Sequence, residues 1–130
     1  MTVWRLPYTS ALDRFERDAI VATLRDDVVI RVAVHDEPMQ TKPVAEFLFG
    51  VLAEELGPVT VTDEIVEGAT GVVRFETSIG GRPVQGLNVV EHDEAGAVRE
   101  LTVFFRPLDG LQQIAQVVGS HMEQRFGKLE

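Results

Sequence analysis

The sequence contains no cysteine among its 130 residues. Disulfide bridges, thiolate metal sites and cysteine nucleophiles are therefore excluded. Basic residues are also scarce, 12 against 21 acidic ones, which gives a formal net charge of −9. Because nucleic-acid binding requires clustered basic surface, we expect no DNA or RNA partner.

Long apolar runs are absent as well. No run approaches the roughly 18 residues that a membrane-spanning helix needs, and the N-terminus lacks the apolar core and cleavage site of a signal peptide. We therefore expect a cytoplasmic protein without a membrane partner. The histidine spacings match no zinc motif and no glycine-rich phosphate loop is present, so we expect neither a metal nor a cofactor.

What the chain does have is ordinary globular composition, with 45% hydrophobic residues. This predicts one domain spanning residues 1–130. Helical spacing of apolar residues predicts three helices, with Arg17-Asp18 as a candidate break in the first, over 10–25, 43–56 and 109–127. β-Branched runs and strict alternation predict five strands, over 28–34, 59–66, 71–79, 82–92 and 97–106. This order predicts an α+β fold in which helices cover one face of a largely antiparallel sheet.

The hairpin register decides which side chains share a face of that sheet. A two-residue loop at Gly80-Gly81 places Val73 opposite Asn88, and a four-residue turn at 93–96 places Leu101 opposite Asn88. The covered face then consists of Val73, Phe75, Thr77, Val84, Gly86, Asn88, Val90, Leu101, Val103 and Phe105.

Asn88 is the notable polar residue on this otherwise apolar face, which also includes Thr77. A buried amide costs about 1–3 kcal/mol for each group left without a hydrogen bond. Two interpretations stay open: a core residue bonded to backbone or water, and the polar anchor of a ligand pocket, since pockets are apolar with few polar groups. Gly86 fits either a close backbone approach or a bend in the strand.

The opposite sheet face carries four residues that interrupt its polar pattern: Leu87, Val89, Thr102 and Phe104. Apolar groups on a polar face often mark a partner surface. We therefore predict a homodimer formed through this face, with scattered surface hydrophobic residues as the alternative.

Four segments resemble the nuclear transport factor 2-like superfamily, and within it the SnoaL-like branch: Leu24-Arg25-Asp26-Asp27-Val28-Val29, the helix after Thr41-Lys42-Pro43, the strand pair 71–92, and residues 93–101. The resemblance covers nearly the whole chain. It implies a cone-shaped, barrel-like α+β fold in which a curved, mostly antiparallel sheet wraps around a helix and encloses a hydrophobic cavity. Relatives include ketosteroid isomerases, polyketide cyclases, epoxide hydrolases, dehydratases and non-enzymatic binding domains.

The functional residues of the isomerase-like relatives carry over incompletely. The resemblance places the oxyanion-binding carboxylic acid at Asn88 and the catalytic base at or near Val32, which is chemically inert. The helical tyrosine of the family has no secure counterpart, because Tyr8 lies upstream of the predicted first helix. Ketosteroid isomerase activity is therefore disfavoured.

Together these interpretations predict a ligand pocket lined by Val32, Val73, Phe75, Thr77, Asn88, Val90, Leu101, Val103 and Phe105. Candidates for its mouth are Trp4, Tyr8 and His35, although Trp4 fits a surface position equally well.

Three hypotheses for function remain. The first is a domain that binds a small hydrophobic molecule without chemistry. The second is an isomerase, cyclase or hydrolase that polarises its substrate with Asn88 and uses His35 or a loop acid as the base. The third is a structural or regulatory dimer whose cone is filled by side chains.

Overall fold

The computed structural model describes residues 3–33 and 36–127. Its helices are α1 Pro7–Arg14, α2 Arg17–Ala22, α3 Lys42–Glu55 and α4 Leu108–Phe126. Its strands are β1 Leu24–Arg31, β2 Met39–Gln40, β3 Thr60–Glu67, β4 Thr70–Ile79, β5 Arg82–His92 and β6 Val98–Arg106. The predicted α+β architecture is confirmed.

The first predicted helix is two helices. α1 ends at Phe15, which adopts a left-handed φ of 52° and donates its N–H to the carbonyls of Ala11 and Leu12 at 2.9 and 3.0 Å. The break therefore lies just before the predicted one. α1 also begins at Pro7 rather than at residue 10, because proline suits the first turn of a helix. Tyr8 consequently lies inside the helix and not upstream of it.

The six strands form one curved sheet in the order β2-β1-β6-β5-β4-β3. β1 pairs with β6 in parallel, while β3 to β6 form the predicted antiparallel meander. β1 starts four residues earlier than predicted because Leu24 pairs with Val98, and it ends at Arg31. Val32 and Ala33 have therefore already left the strand.

The predicted register is confirmed on one side of β5 and wrong on the other. Val73 lies opposite Asn88 as expected, but Asn88 lies opposite Val103 and not Leu101. Part of the shift comes from the turn, where the Asp93 carboxylate accepts the N–H groups of Ala95 and Ala97 at 3.0 and 2.9 Å. The rest comes from a bulge after Glu91. Because the shift beyond this bulge is two residues, the side chains from Glu100 to Arg106 keep their predicted faces.

The core lies between the helices and one face of the sheet. Val73, Val90 and Leu101 are fully buried there, and the long helix α4 packs across β4, β5 and β6. The N-terminal cap position of α4 is Pro107, where no side-chain hydrogen bond caps the helix. Asp109, in the first turn of α4, binds Arg82 of β5. No helix within the described residues combines the length and the apolarity needed to cross a bilayer.

Candidate functional site

A cavity opens between the covered face of the sheet and all of the helices except α2. The centre of a water-sized sphere can occupy about 50 Å³ inside this cavity. On the same measure one water molecule needs roughly 10–15 Å³. The cavity therefore has room for a few waters or one small molecule. Its wall consists of Tyr8, Leu12, Phe15, Val32, Ala33, Leu48, Phe49, Leu52, Leu56, Phe75, Asn88, Val103, Phe105, Leu111, Ile114, Ala115 and Val118.

Two polar side chains meet on this apolar wall. The Tyr8 hydroxyl of α1 donates a hydrogen bond of 2.6 Å to Oδ1 of Asn88 on β5, and the two residues are 1% and 2% exposed. Burial raises the pKa of Tyr8 far above its ordinary value near 10. The phenol therefore stays neutral and remains a hydrogen-bond donor at physiological pH.

The bond to Tyr8 occupies only the oxygen of the Asn88 amide. An asparagine amide carries two N–H donors as well, and no hydrogen bond joins the Asn88 nitrogen to any other described residue. Because Asn88 forms part of the cavity wall, this donor group is available to a molecule inside. Of the two interpretations of Asn88, the ligand anchor is the one that this vacant donor supports.

The wall beside Asn88 depends on Gly86. A Cβ atom at residue 86 would lie 2.1 Å from Cζ of Phe75, so the Phe75 ring lies directly over the glycine. Phe105, which pairs with Gly86 across the strands, packs edge to face on Phe75 with ring centroids 6.0 Å apart. Gly86 thus allows the Phe75 ring to approach the backbone of β5 closely.

Five of the nine predicted pocket residues lie in the cavity wall: Val32, Phe75, Asn88, Val103 and Phe105. Four others are buried on the same sheet face away from the cavity: Val73, Thr77, Val90 and Leu101. Thr77 donates its hydroxyl to the carbonyl of Gly57 at 3.0 Å, so its polar atom serves the α3–β3 connection. Val32, at or near which the family resemblance places the catalytic base, lies in the wall.

The three residues predicted at the cavity mouth are Trp4, Tyr8 and His35, and the structure places neither Trp4 nor Tyr8 there. Tyr8 lies inside the cavity and not at its mouth, because α1 begins early enough to carry it inward. Trp4 lies outside the wall, where its Nε1 donates to Asp13 at 3.2 Å. His35 falls outside the described residues. The exposed part of the wall is at Ala33, after the end of β1.

Sequence reasoning missed the helical half of the wall. Besides Tyr8, ten wall residues come from α1, α3, α4 and their ends: Leu12, Phe15, Leu48, Phe49, Leu52, Leu56, Leu111, Ile114, Ala115 and Val118. All but Phe49 belong to the apolar helical stripes visible in the sequence. Those stripes identify buried faces, but they do not distinguish a filled core from the lining of a cavity.

The wall offers little acid–base chemistry. Among its described residues Tyr8 is the only one with a titratable side chain. In residues 3–33 and 36–127, no group of three or more histidine, aspartate or glutamate side chains is arranged to hold a metal ion. The arrangement can donate hydrogen bonds to a neutral acceptor, and the described wall residues include no carboxylate or imidazole.

Comparison with known proteins matches the fold but not the sequence. No protein-family model matches the chain, and no curated protein matches it either. Among solved structures, an uncharacterised bacterial protein with a cystatin-like fold from Silicibacter pomeroyi superimposes with a TM-score of 0.82 at 15% identity, over 92% of this chain and 86% of that one.

Two further matches have described activities. A steroid delta-isomerase from Pseudomonas aeruginosa gives a TM-score of 0.78 at 19% identity, over 92% of this chain and 88% of that one. The epoxide hydrolase/cyclase-like enzyme SalBIII gives 0.64 at 14% identity, over 79% and 87%. Other matches are described as nuclear transport factor 2-like proteins. The chain therefore has the nuclear transport factor 2-like fold, which ketosteroid isomerase-like and SnoaL-like proteins share.

Proposed function

We propose that the protein binds a small, uncharged, largely apolar molecule in the cavity and anchors one acceptor oxygen of that molecule on the Asn88 amide. The observation that carries this proposal is the amide N–H group of Asn88, which no described residue accepts although Asn88 is only 2% exposed. A bound acceptor oxygen would pair this donor and gain about 1–3 kcal/mol over a ligand of the same shape that buries it unpaired. The apolar wall accounts for the rest of the affinity through burial of the ligand.

A matched pair of probes tests this proposal. Cyclohexanone carries a carbonyl acceptor, whereas methylenecyclohexane has nearly the same shape without one. We expect the affinity for cyclohexanone relative to that for methylenecyclohexane to be about tenfold higher when the Asn88 amide is present than when it is absent. Binding can be measured by ligand-observed NMR at equal free concentrations.

The variant Asn88→Leu completes the test. It should preserve the fold, since leucine has the same branched shape and the cavity beside residue 88 can accommodate its larger methyl groups. It should abolish the preference for the ketone while methylenecyclohexane still binds. An unchanged preference in Asn88→Leu would remove Asn88 as the anchor.

A second candidate function is an enzyme that polarises a carbonyl group. What favours it is the Asn88 amide, whose oxygen is held by the Tyr8 hydroxyl, because a fixed N–H donor on an apolar wall can stabilise an oxyanion. The fold similarity to a steroid delta-isomerase and to SalBIII is compatible with it. The base would have to come from outside the described wall, for which His35 remains the predicted candidate.

Deuterium exchange separates the two candidates. An enzyme would accelerate exchange of the α-hydrogens of cyclohexanone in D₂O, and His35→Ala would abolish the acceleration. A pure binding domain would bind the ketone and leave the exchange rate at that of buffer.

We also propose that the outer sheet face forms a homodimer. Phe104 is 49% exposed and pairs with Leu87, next to the pair of Val89 with Thr102. Charged residues of both signs surround these four. Arg74 and Arg106 lie to one side, and Glu91 and Glu100 to the other. An apolar centre with a rim of both charges fits a second copy of the same surface.

A further inference from the structure

Helix α1, which carries Tyr8, is too short to be stable without contacts to the rest of the protein. It has only eight residues and no side-chain cap at its N-terminus. Isolated helices shorter than about 12–15 residues are marginal in water. The placement of α1, and with it the Tyr8 hydroxyl, must therefore depend on contacts from elsewhere in the chain.

The start of α1 is held by Glu64 of the edge strand β3. One carboxylate oxygen of Glu64 accepts the backbone N–H of Arg5 at 2.6 Å, and the other accepts that of Leu6 at 3.0 Å. Such charge-assisted bonds are about twice as strong as neutral ones. Glu64 thus acts like the carboxylate of a capping box, although it lies 58 residues from Leu6 along the chain.

The end of α1 is held to the same strand by Asp13. Its Oδ1 accepts the backbone N–H of Val61 at 3.0 Å, and its Oδ2 accepts Nε1 of Trp4 at 3.2 Å. The β3–β4 register shifts immediately after Val61. Two carboxylates therefore attach α1 to β3 at both ends, with Tyr8 between them.

The described part of β3 contributes no residue to the cavity wall, so its carboxylates act on the site only through α1. The bond from Tyr8 to Asn88 is 2.6 Å long, and a displacement of about 1 Å would take it beyond hydrogen-bonding distance. We propose that Glu64 and Asp13 are positioning residues that hold Tyr8 against Asn88 and so aim the Asn88 amide into the cavity. This inference rests on the proposed binding function.

The sequence supplies a spectroscopic reporter for the test, because Tyr8 is its only tyrosine. In the wild type we expect phenolate absorbance to appear only when circular dichroism shows unfolding, since the hydroxyl is buried. The test variants are Glu64→Gln, whose amide would set an N–H against a backbone N–H, and Asp13→Ala. Glu67→Gln, an exposed change on the same strand, is the matched control.

In the ligand-free test variants, phenolate should form while the protein is still folded, at lower pH than in the wild type and the control. The preference for cyclohexanone over methylenecyclohexane should fall about three- to tenfold. If Glu64→Gln does not fold, Asp13→Ala tests the positioning role by itself, because Asp13 is exposed and its replacement leaves the core intact.

A wild-type Tyr8 titration in the folded test variants overturns the positioning role, whatever happens to ketone binding. Conversely, a wild type without ketone preference counts against the proposed function, while the Tyr8 titration still decides the positioning role. The two failures are therefore distinguishable.

Discussion

At the scale of single residues, the site is one hydrogen bond between two buried side chains. Tyr8 gives Asn88 a partner for its oxygen and leaves the amide N–H groups for a ligand. Replacing Tyr8 by phenylalanine would leave Oδ1 of Asn88 buried and unpaired, at a cost of about 1–3 kcal/mol. Each of the two polar groups therefore lowers the stability of the folded protein when its partner is removed.

The burial of Tyr8 predicts how stability depends on pH. Its folded pKa is raised above the unfolded value near 10, so the folded state holds the proton more tightly than the unfolded state. The associated stability is fully present below pH 10 and is lost as the pH rises above it. In this range the wild-type free energy of unfolding should fall more steeply than that of Tyr8→Phe, by up to about 1.4 kcal/mol per pH unit.

Urea unfolding between pH 9 and 11 (roughly the range around the ordinary tyrosine pKa) measures both slopes. Because Tyr8 is the only tyrosine, no other phenol contributes to the difference. Parallel slopes for the wild type and Tyr8→Phe would show that Tyr8 ionises as freely in the folded state as in the unfolded one.

At the scale of elements, the cavity exists because β5 lacks a side chain at Gly86. In Gly86→Ala the new methyl group would displace the Phe75 ring, which lies on the cavity wall and has free space beside it there. We expect a loss of about 1–3 kcal/mol from overpacking and loss of cyclohexanone binding. Denaturant unfolding and ligand-observed NMR measure the two effects.

The chain offers a matched glycine control in α4. A Cβ atom at Gly119 would meet no atom within 4 Å, so Gly119→Ala should stabilise the helix by up to about 1 kcal/mol and leave binding unchanged. The second variant Gly86→Ala/Phe75→Leu, which shortens the displaced side chain, should recover part of the stability. Normal ketone binding in Gly86→Ala alone would contradict the role given to Gly86.

At the scale of the whole molecule, the outer sheet face makes the proposed dimer testable. Phe104→Glu places a charge at the centre of the apolar group formed with Leu87, Val89 and Thr102, where burial in an interface would be costly. We expect this variant to be monomeric at micromolar concentration in sedimentation velocity. Leu108→Glu, an exposed residue at the start of α4, should leave the oligomeric state unchanged. A Phe104→Glu dimer would refute this interface.

Local patterns along the chain are enough to establish which residues share a sheet face. Alternation along a strand has a period of two, and the turn at 80–81 pairs Asn88 with Val73 as predicted. The turn at 93–96 moves the pairing of β6 by one residue from the prediction, and the bulge after Glu91 makes the total shift even. Asn88 therefore stands out among its apolar neighbours from the alternation and the turns alone. The fold class follows from the same patterns, since helical and strand spacing are both written within short segments.

Long-range packing, in contrast, sets what Asn88 meets and whether the covered face encloses space. Tyr8 lies 80 residues from Asn88 along the chain, and Glu64 lies 58 residues from the helix start that it holds. No local pattern encodes such pairings, because they depend on where α1 comes to rest against the sheet. The cavity itself depends on how closely the helices approach the sheet, and an apolar stripe looks the same whether its side chains fill a core or line a void.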